Sequence, residues 1–280
     1  MNEVSTIKRI TLNRYDGKEL IVSQISDLIV NEYSFLFYAV IIHGSIATDE
    51  VIPYSDFDGL LIVKDNYVDS EELKQFERKS LKLIFEFDPL QHHRWFQILE
   101  SDLINYPEDY FPCAILEHSK LIYPQQDELT LDLKIKSTVN YNNALIGLID
   151  KLEKQLSSNW RPSNSYQLKS FLSEIMLIPS LYYSLKNNSG IFKKDSFNAV
   201  KDNFNENEWM PIKVASKIRT NWNYPLNPIQ KRFLSITNWR IRKKAIRLYA
   251  PKINESIKQE LSSEFYVNLM LFIKRIRKDI

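Results

Sequence analysis

The chain has 280 residues, a length for one large domain or two modest ones. Its 37 basic and 35 acidic side chains leave a formal net charge of +2, so charge alone does not mark a nucleic-acid binder. Hydrophobic residues make up 44%, and only 5 Gly and 11 Pro are present, which excludes a disordered or loop-dominated chain.

The single cysteine, Cys113, excludes an internal disulfide and a Cys-based metal site, and points to a reducing, cytoplasmic setting. Met1-Asn2-Glu3-Val4-Ser5 has no basic segment leading into an apolar stretch and does not read as a signal peptide. The longest apolar run, Phe35 to Ile42, is far short of the roughly 20 residues that span a bilayer. No membrane partner is expected.

Lys18 to Asn31 carries Leu20, Ile21, Ile25, Leu28 and Ile29 at helical spacing. Phe35 to Ile42, rich in aromatic and β-branched residues, reads as a buried strand ending at Gly44. Residues 46 to 55 read as a loop, and Phe57 to Val63 as a second buried strand. Asp69-Ser70-Glu71-Glu72 starts a helix that runs to about Phe85 and is broken by Asp88-Pro89. Trp95 to Leu99 is a third strand, and Phe111 to Tyr123 completes this half.

Beyond it the periodicity is helical. Val139 to Leu156 forms one apolar face, and Phe171 to Ile178 another with a kink at Pro179. Phe197 to Phe204, Ile241 to Leu248 and Phe265 to Ile276 form three more. A boundary is expected near Pro124-Gln125-Gln126-Asp127. The fold class is α/β (α+β), a catalytic domain of residues 1–125 around a short mixed sheet, followed by an all-helical domain of residues 130–280.

The chemistry concentrates in His43-Gly44-Ser45 and Ser55-Asp56-Phe57-Asp58. Gly44 has no Cβ, so its backbone can approach a phosphate closely, and Ser45 offers a hydroxyl and an N–H. On a strand, residues i and i+2 share a face, so Asp56 and Asp58 converge while Phe57 points to the core. Two carboxylates with substrate phosphate oxygens are what Mg²⁺ typically accepts. Gly-Ser turns and Asp-x-Asp pairs are each common; their succession on two apolar strands is the informative part.

The stretch from His43 to Val63 resembles the signature of the DNA polymerase β-like nucleotidyltransferase superfamily, in the Gly44-Ser45 turn and the Asp56-x-Asp58 strand. The helical half resembles that of aminoglycoside-type nucleotidyltransferases. The resemblance implies Mg²⁺-dependent transfer of a nucleoside monophosphate from an NTP such as ATP to a hydroxyl acceptor, bound between the domains. A small hydroxylated molecule is the first choice of acceptor, and tRNA or protein the alternative. It also implies a third carboxylate from a following strand. The position flanked by apolar residues in Trp95 to Leu99 is Gln97, which cannot act as a base and binds metal weakly.

Asp88 is one candidate for the missing group, and His93 or His92 for a general base. Asp88 also suits an ordinary turn before Pro89. A zinc site is not expected, since no Cys is near and adjacent histidines have poor ligand spacing. A pseudoenzyme that binds nucleotide without turnover is the alternative if none of these serves. By resemblance, Lys193 or Lys194 contacts the triphosphate, against the plainer reading of a solvated helix end. Arg219 fits an acceptor pocket or, equally, an ion pair; Trp222 fits the pocket too, though a tryptophan is more often a core residue. The clusters Arg240 to Lys244 and Lys274 to Lys278 read as solvated helix faces, with RNA binding the sharper alternative.

Overall fold

A computed structural model describes residues 5–136, 139–222 and 224–280. The N-terminal reading made on Met1 to Val4 lies outside the described residues. The chain divides into two compact units: Met1–Thr138 with Leu226–Tyr249, and Val139–Pro225 with Ala250–Ile280.

The elements run β1 (Ser5–Asn13), α1 (Leu20–Leu28), β2 (Phe37–His43), α2 (Gly44–Ala47), β3 (Asp58–Val63), α3 (Glu71–Phe87), β4 (Phe96–Leu99), α4 (Cys113–Leu116), β5 (Lys120–Tyr123) and β6 (Glu128–Lys136). Helices α5 (Asn142–Ser157), α6 (Ser165–Asn187), α7 (Lys193–Val200) and α8 (Glu206–Thr220) follow. Then come α9 (Pro228–Leu234), α10 (Trp239–Tyr249), α11 (Glu255–Glu260) and α12 (Ser263–Arg277).

In the first unit, a four-stranded mixed sheet has the order β4-β3-β2-β5. Strand β2 pairs antiparallel with β3 and β5, and β3 pairs parallel with β4. The alternation of side chains splits the buried residues between two faces. Val40, Ile42, Leu61 and Val63 pack with Ile21, Ile25, Phe76 and Ile84 of α1 and α3. Ala39, Ile41, Leu60, Ile62 and Ile98 pack on the other face with Ile10, Leu12, Leu131 and Leu133. Burial on both faces explains why β2 and β3 are unbroken apolar runs.

The pair β1–β6, antiparallel from Ser5↔Lys136 to Asn13↔Glu128, is absent from the sequence reading. Its signal is the alternation Leu129, Leu131, Leu133, Ile135, whose start falls in the boundary expected near residues 124 to 130. The boundary residues instead lead into a strand that lines the second core face.

Ser70 caps α3 by accepting from the Leu73 N–H at 3.1 Å, with Glu71 and Glu72 in the first turn. The first helix is shorter than its periodicity and passes into a π-helical turn, Ile29–Tyr33. One helical turn, Gly44–Ala47, runs into the start of the segment read as a loop.

The second unit is helical. Helix α12 packs against α8 and α5, and α6 against α5, α7 and α8. Helix α6 runs from Ser165 to Asn187 with Pro179 inside it. Segment 226–249, assigned by sequence to the helical domain, belongs to the first unit: the Ser235 hydroxyl donates to the Phe85 carbonyl at 2.9 Å. Among the described residues, no helix is long and apolar enough to cross a membrane.

Candidate active site at the end of the central strands

The end of β2 lies beside the start of β3, with His43 paired to Asp58. The chain then turns through Gly44 at φ +68, a conformation that suits glycine. A Cβ built on Gly44 would lie 2.5 Å from Asp58 Oδ2, so the missing side chain is what lets the turn approach the carboxylate. Ser45 follows in the first turn of α2, where peptide N–H groups have no intrahelical acceptor.

Asp58 opens β3, whereas Asp56 precedes it in the loop. Phe57 between them is buried against Trp95, ring centroids 5.1 Å apart. Among the described residues, no strand pairs with Phe57. Its N–H donates to Gln91 Oε1 at 2.9 Å, and its carbonyl accepts from Gln91 Nε2 at 3.1 Å. A side-chain amide thus stands in for a strand's peptide group and fixes the two acids on either side.

The same segment delivers both histidines to the acids. His93 Nε2 lies 3.0 Å from Asp58 Oδ1 and 3.7 Å from Asp56 Oδ1, and His92 Nδ1 lies 3.3 Å from Asp56 Oδ1. The His92 Nδ1 contact lacks hydrogen-bond alignment. His93 Nδ1 meets Gln91 Nε2 at 3.2 Å.

The electrostatics follow from this packing. Burial opposes a charged His93, but its bonds to Asp56 and Asp58 outweigh that and push its pKa up to about 10. Burial likewise opposes the charge on Asp58, and the His93 contact reverses the shift, leaving it below the usual carboxylate range. His43, buried between Phe96 and Phe111, is pushed down to about 4, chiefly by burial. The site thus sets an imidazole of raised pKa against two carboxylates.

Asp88 sits elsewhere. It is fully buried at the C-terminal end of α3, and its Oδ1 accepts from the Leu90 N–H at 3.0 Å, the turn contact foreseen as its plainer role. Among the described residues, the acidic and imidazole groups close enough to share one ion are Asp56, His92 and His93, without Asp88.

Gln97 lies away from the acids. It pairs with Leu61, whereas Phe96 pairs with Leu60. Paired residues share a face, so Gln97 lies on the face opposite Asp58, and Phe96 is the β4 residue on the Asp58 face. The expectation of an acid at 97 rested on the wrong parity.

Arg242 of α10, in a cluster that reads from sequence as a solvated face, is a structural element of this site. It is fully buried, and its Nη2 donates to the Pro89 and Gln91 carbonyls at 2.9 and 3.0 Å. It also donates to the Leu234 carbonyl and lies over Phe85, 3.6 Å from the ring centroid. Its signal was helical spacing: Arg242 shares a buried stripe with Ala245 and Ile246. Next to the histidines is a cavity of about 220 Å³, lined also by Arg94, Thr237 and Trp239.

No family model matches the chain. No curated protein matches it either. Among solved structures, it is similar to spectinomycin adenyltransferase AAD(9) from Enterococcus faecialis, determined with ATP and spectinomycin: 12% identity, TM-score 0.42, covering 92% of this chain and 98% of that one.

The remaining sequence candidates lie in the second unit or on helix surfaces. Lys193 and Lys194 open α7 and are exposed. Arg219 and Trp222 are buried, the guanidinium 5.2 Å from the indole centroid. Of the basic clusters, Arg242 is inaccessible, Arg275 pairs with Asp279, and Arg277 pairs with Asp150 and Glu153.

Proposed function

We propose that this chain transfers a nucleoside monophosphate from an NTP to a hydroxyl acceptor, as members of the DNA polymerase β-like nucleotidyltransferase superfamily do. The observation that carries the reading is the abutment of Gly44 on Asp58. It brings an open glycine turn, able to approach a phosphate, against a pair of carboxylates.

Asp56 and Asp58 are the residues that would hold a divalent ion. Their hard oxygens fit Mg²⁺, which binds through one or two carboxylates plus substrate phosphates. When bound, such an ion neutralises charge on the transferring phosphate. The chain's own part is positional. Gly44 and Ser45 supply peptide N–H groups and a hydroxyl to phosphate oxygens. Gln91 holds Phe57, and so both acids, in one conformation. The acceptor oxygen bonds to the α-phosphorus as the bond from that phosphorus to the bridging α–β oxygen breaks; pyrophosphate leaves, and the hydroxyl proton passes to solvent.

The cavity beside His92 and His93 suits a small acceptor, with Trp239 offering an aromatic face and Arg94 a charge. The burial of Arg242 and the pairing of Arg275 and Arg277 leave fewer free basic side chains for an RNA-binding face than the clusters suggest. Lys193 and Lys194 remain proposed as triphosphate contacts by resemblance alone.

A second reading has its own observation. On the Asp58 face β4 offers Phe96 and Ile98 and no acid, which favours nucleotide binding without turnover. Incubating the protein with labelled NTPs, Mg²⁺ and hydroxylated small molecules, aminoglycosides among them, separates the two. Product formation lost in both Asp56→Asn and Asp58→Asn supports transfer. Tight nucleotide binding with no product supports the second reading. Transfer that survives both substitutions removes the metal assignment.

A further inference from the structure

The chain has 4 histidines, and three of them, His43, His92 and His93, gather around Asp56 and Asp58. Transfer through two carboxylates does not require that. Adjacent histidines on a regular strand would face opposite ways. Here residues 91–95 are irregular, and both rings turn toward Asp56.

The distances suit coordination. Two donors each about 2.1 Å from one ion at a tetrahedral angle are about 3.4 Å apart. His92 Nδ1 and His93 Nε2 stand 3.3 and 3.7 Å from the same Asp56 oxygen. One ligand atom from each of the three residues falls within a 4.8 Å span. His92 Nδ1 is buried and makes no hydrogen bond, a donor atom aimed at a carboxylate oxygen without using its own lone pair or proton. The His92 and Asp56 side chains are only 15% and 14% exposed. Gln91 and Arg242 hold the loop from both sides, so the ligands are pre-positioned.

We propose that Asp56, His92 and His93 form a binding position for a divalent first-row transition ion, such as Mn²⁺, Co²⁺ or Zn²⁺, in preference to Mg²⁺. Imidazole nitrogen favours these ions, whereas Mg²⁺ takes oxygen donors and gives up its water reluctantly. An imidazole ligand binds through an unprotonated ring nitrogen, so any proton on that nitrogen leaves to solvent as the ion binds. The ion's use in nucleotidyl transfer rests on the function proposed above. Its binding does not, and is measured without nucleotide.

The test is titration of the metal-free full chain with Co²⁺, followed by its visible absorption, with Mg²⁺ as competitor. One Co²⁺ per chain is expected, undisplaced by a tenfold excess of Mg²⁺. His92→Asn and His93→Gln should each weaken Co²⁺ binding by about tenfold or more. His118→Gln, which alters the fourth histidine, should leave it unchanged. Displacement by equimolar Mg²⁺, or unaltered affinity in both site variants, overturns the proposal. Electron spin echo of Mn²⁺ on the wild-type chain decides the matter even where a variant fails to fold. Coupling to imidazole nitrogen is expected, and coordination by oxygen alone overturns it.

Discussion

Gln91 clamps the main chain of Phe57 from both sides, accepting its N–H at 2.9 Å and donating to its carbonyl at 3.1 Å. Both groups are buried, so Gln91→Ala strands two main-chain groups that water cannot reach. At roughly 1–3 kcal/mol per unsatisfied group, urea unfolding should show a loss of about 2–4 kcal/mol. Gln97→Ala should cost under about 1 kcal/mol, as a substitution away from any such bond. Equal losses in the two variants would contradict the clamp.

Arg242 makes a second prediction that separates it from its basic neighbours. Arg242→Met keeps the stem's volume and removes the donors to Leu234, Pro89 and Gln91. Charged donors to carbonyls contribute about 1.5–3 kcal/mol each, and a loss of about 3 kcal/mol or more is expected. Lys243→Ala and Lys244→Ala, both exposed, should change stability by less than about 0.5 kcal/mol. Thermal melts of the three variants check this ordering.

At Gly44, alanine must adopt φ +68 and place its Cβ 2.5 Å from Asp58 Oδ2. The backbone alone costs about 1–2 kcal/mol, and the clash displaces the carboxylate besides. Gly44→Ala should therefore lower stability modestly and nucleotide affinity severely. Ser45→Ala, which leaves the backbone as it is, should keep the stability of the parent. Calorimetric titration with an NTP and a melting curve for each variant distinguish the two effects.

The second unit carries a pH prediction. The Tyr182 hydroxyl donates to Asp279 Oδ2 at 2.5 Å, and Arg275 and Lys186 stand 2.8 and 3.3 Å away. The Tyr182 bond is the largest influence holding the Asp279 carboxyl down to about 2, from an ordinary value of 3.8. A carboxyl depressed on folding stabilises the fold above its unfolded pKa, and that contribution is lost as pH falls through the folded value. Stability should decline between pH 4 and 2 more steeply in the parent than in Asp279→Asn. Parallel acid limbs in denaturant titrations would refute the coupling.

Much of the candidate site was legible because its signals are local. Gly44 is required by a turn, and Asp56 and Asp58 by their spacing about a buried Phe57. The strands β2 and β3 announced themselves because both faces are buried. The β1–β6 pair was missed although Leu129 to Ile135 alternates, since its partner lies more than a hundred residues away in the chain. Gln97 was misread because side-chain parity on an edge strand depends on register, which only pairing with β3 fixes.

By itself the sequence determined the glycine turn, the acid pair and the helical character of the second half. Each depends on contacts within a few residues, where periodicity and backbone stereochemistry act directly. The tertiary structure decided what stands beside the acids. It set His92 and His93 against Asp56 and Asp58, made Asp88 a turn residue, and brought Arg242 back to hold Pro89 and Gln91. Those are relations between segments that meet only when apolar faces are buried, and no spacing along the chain encodes them.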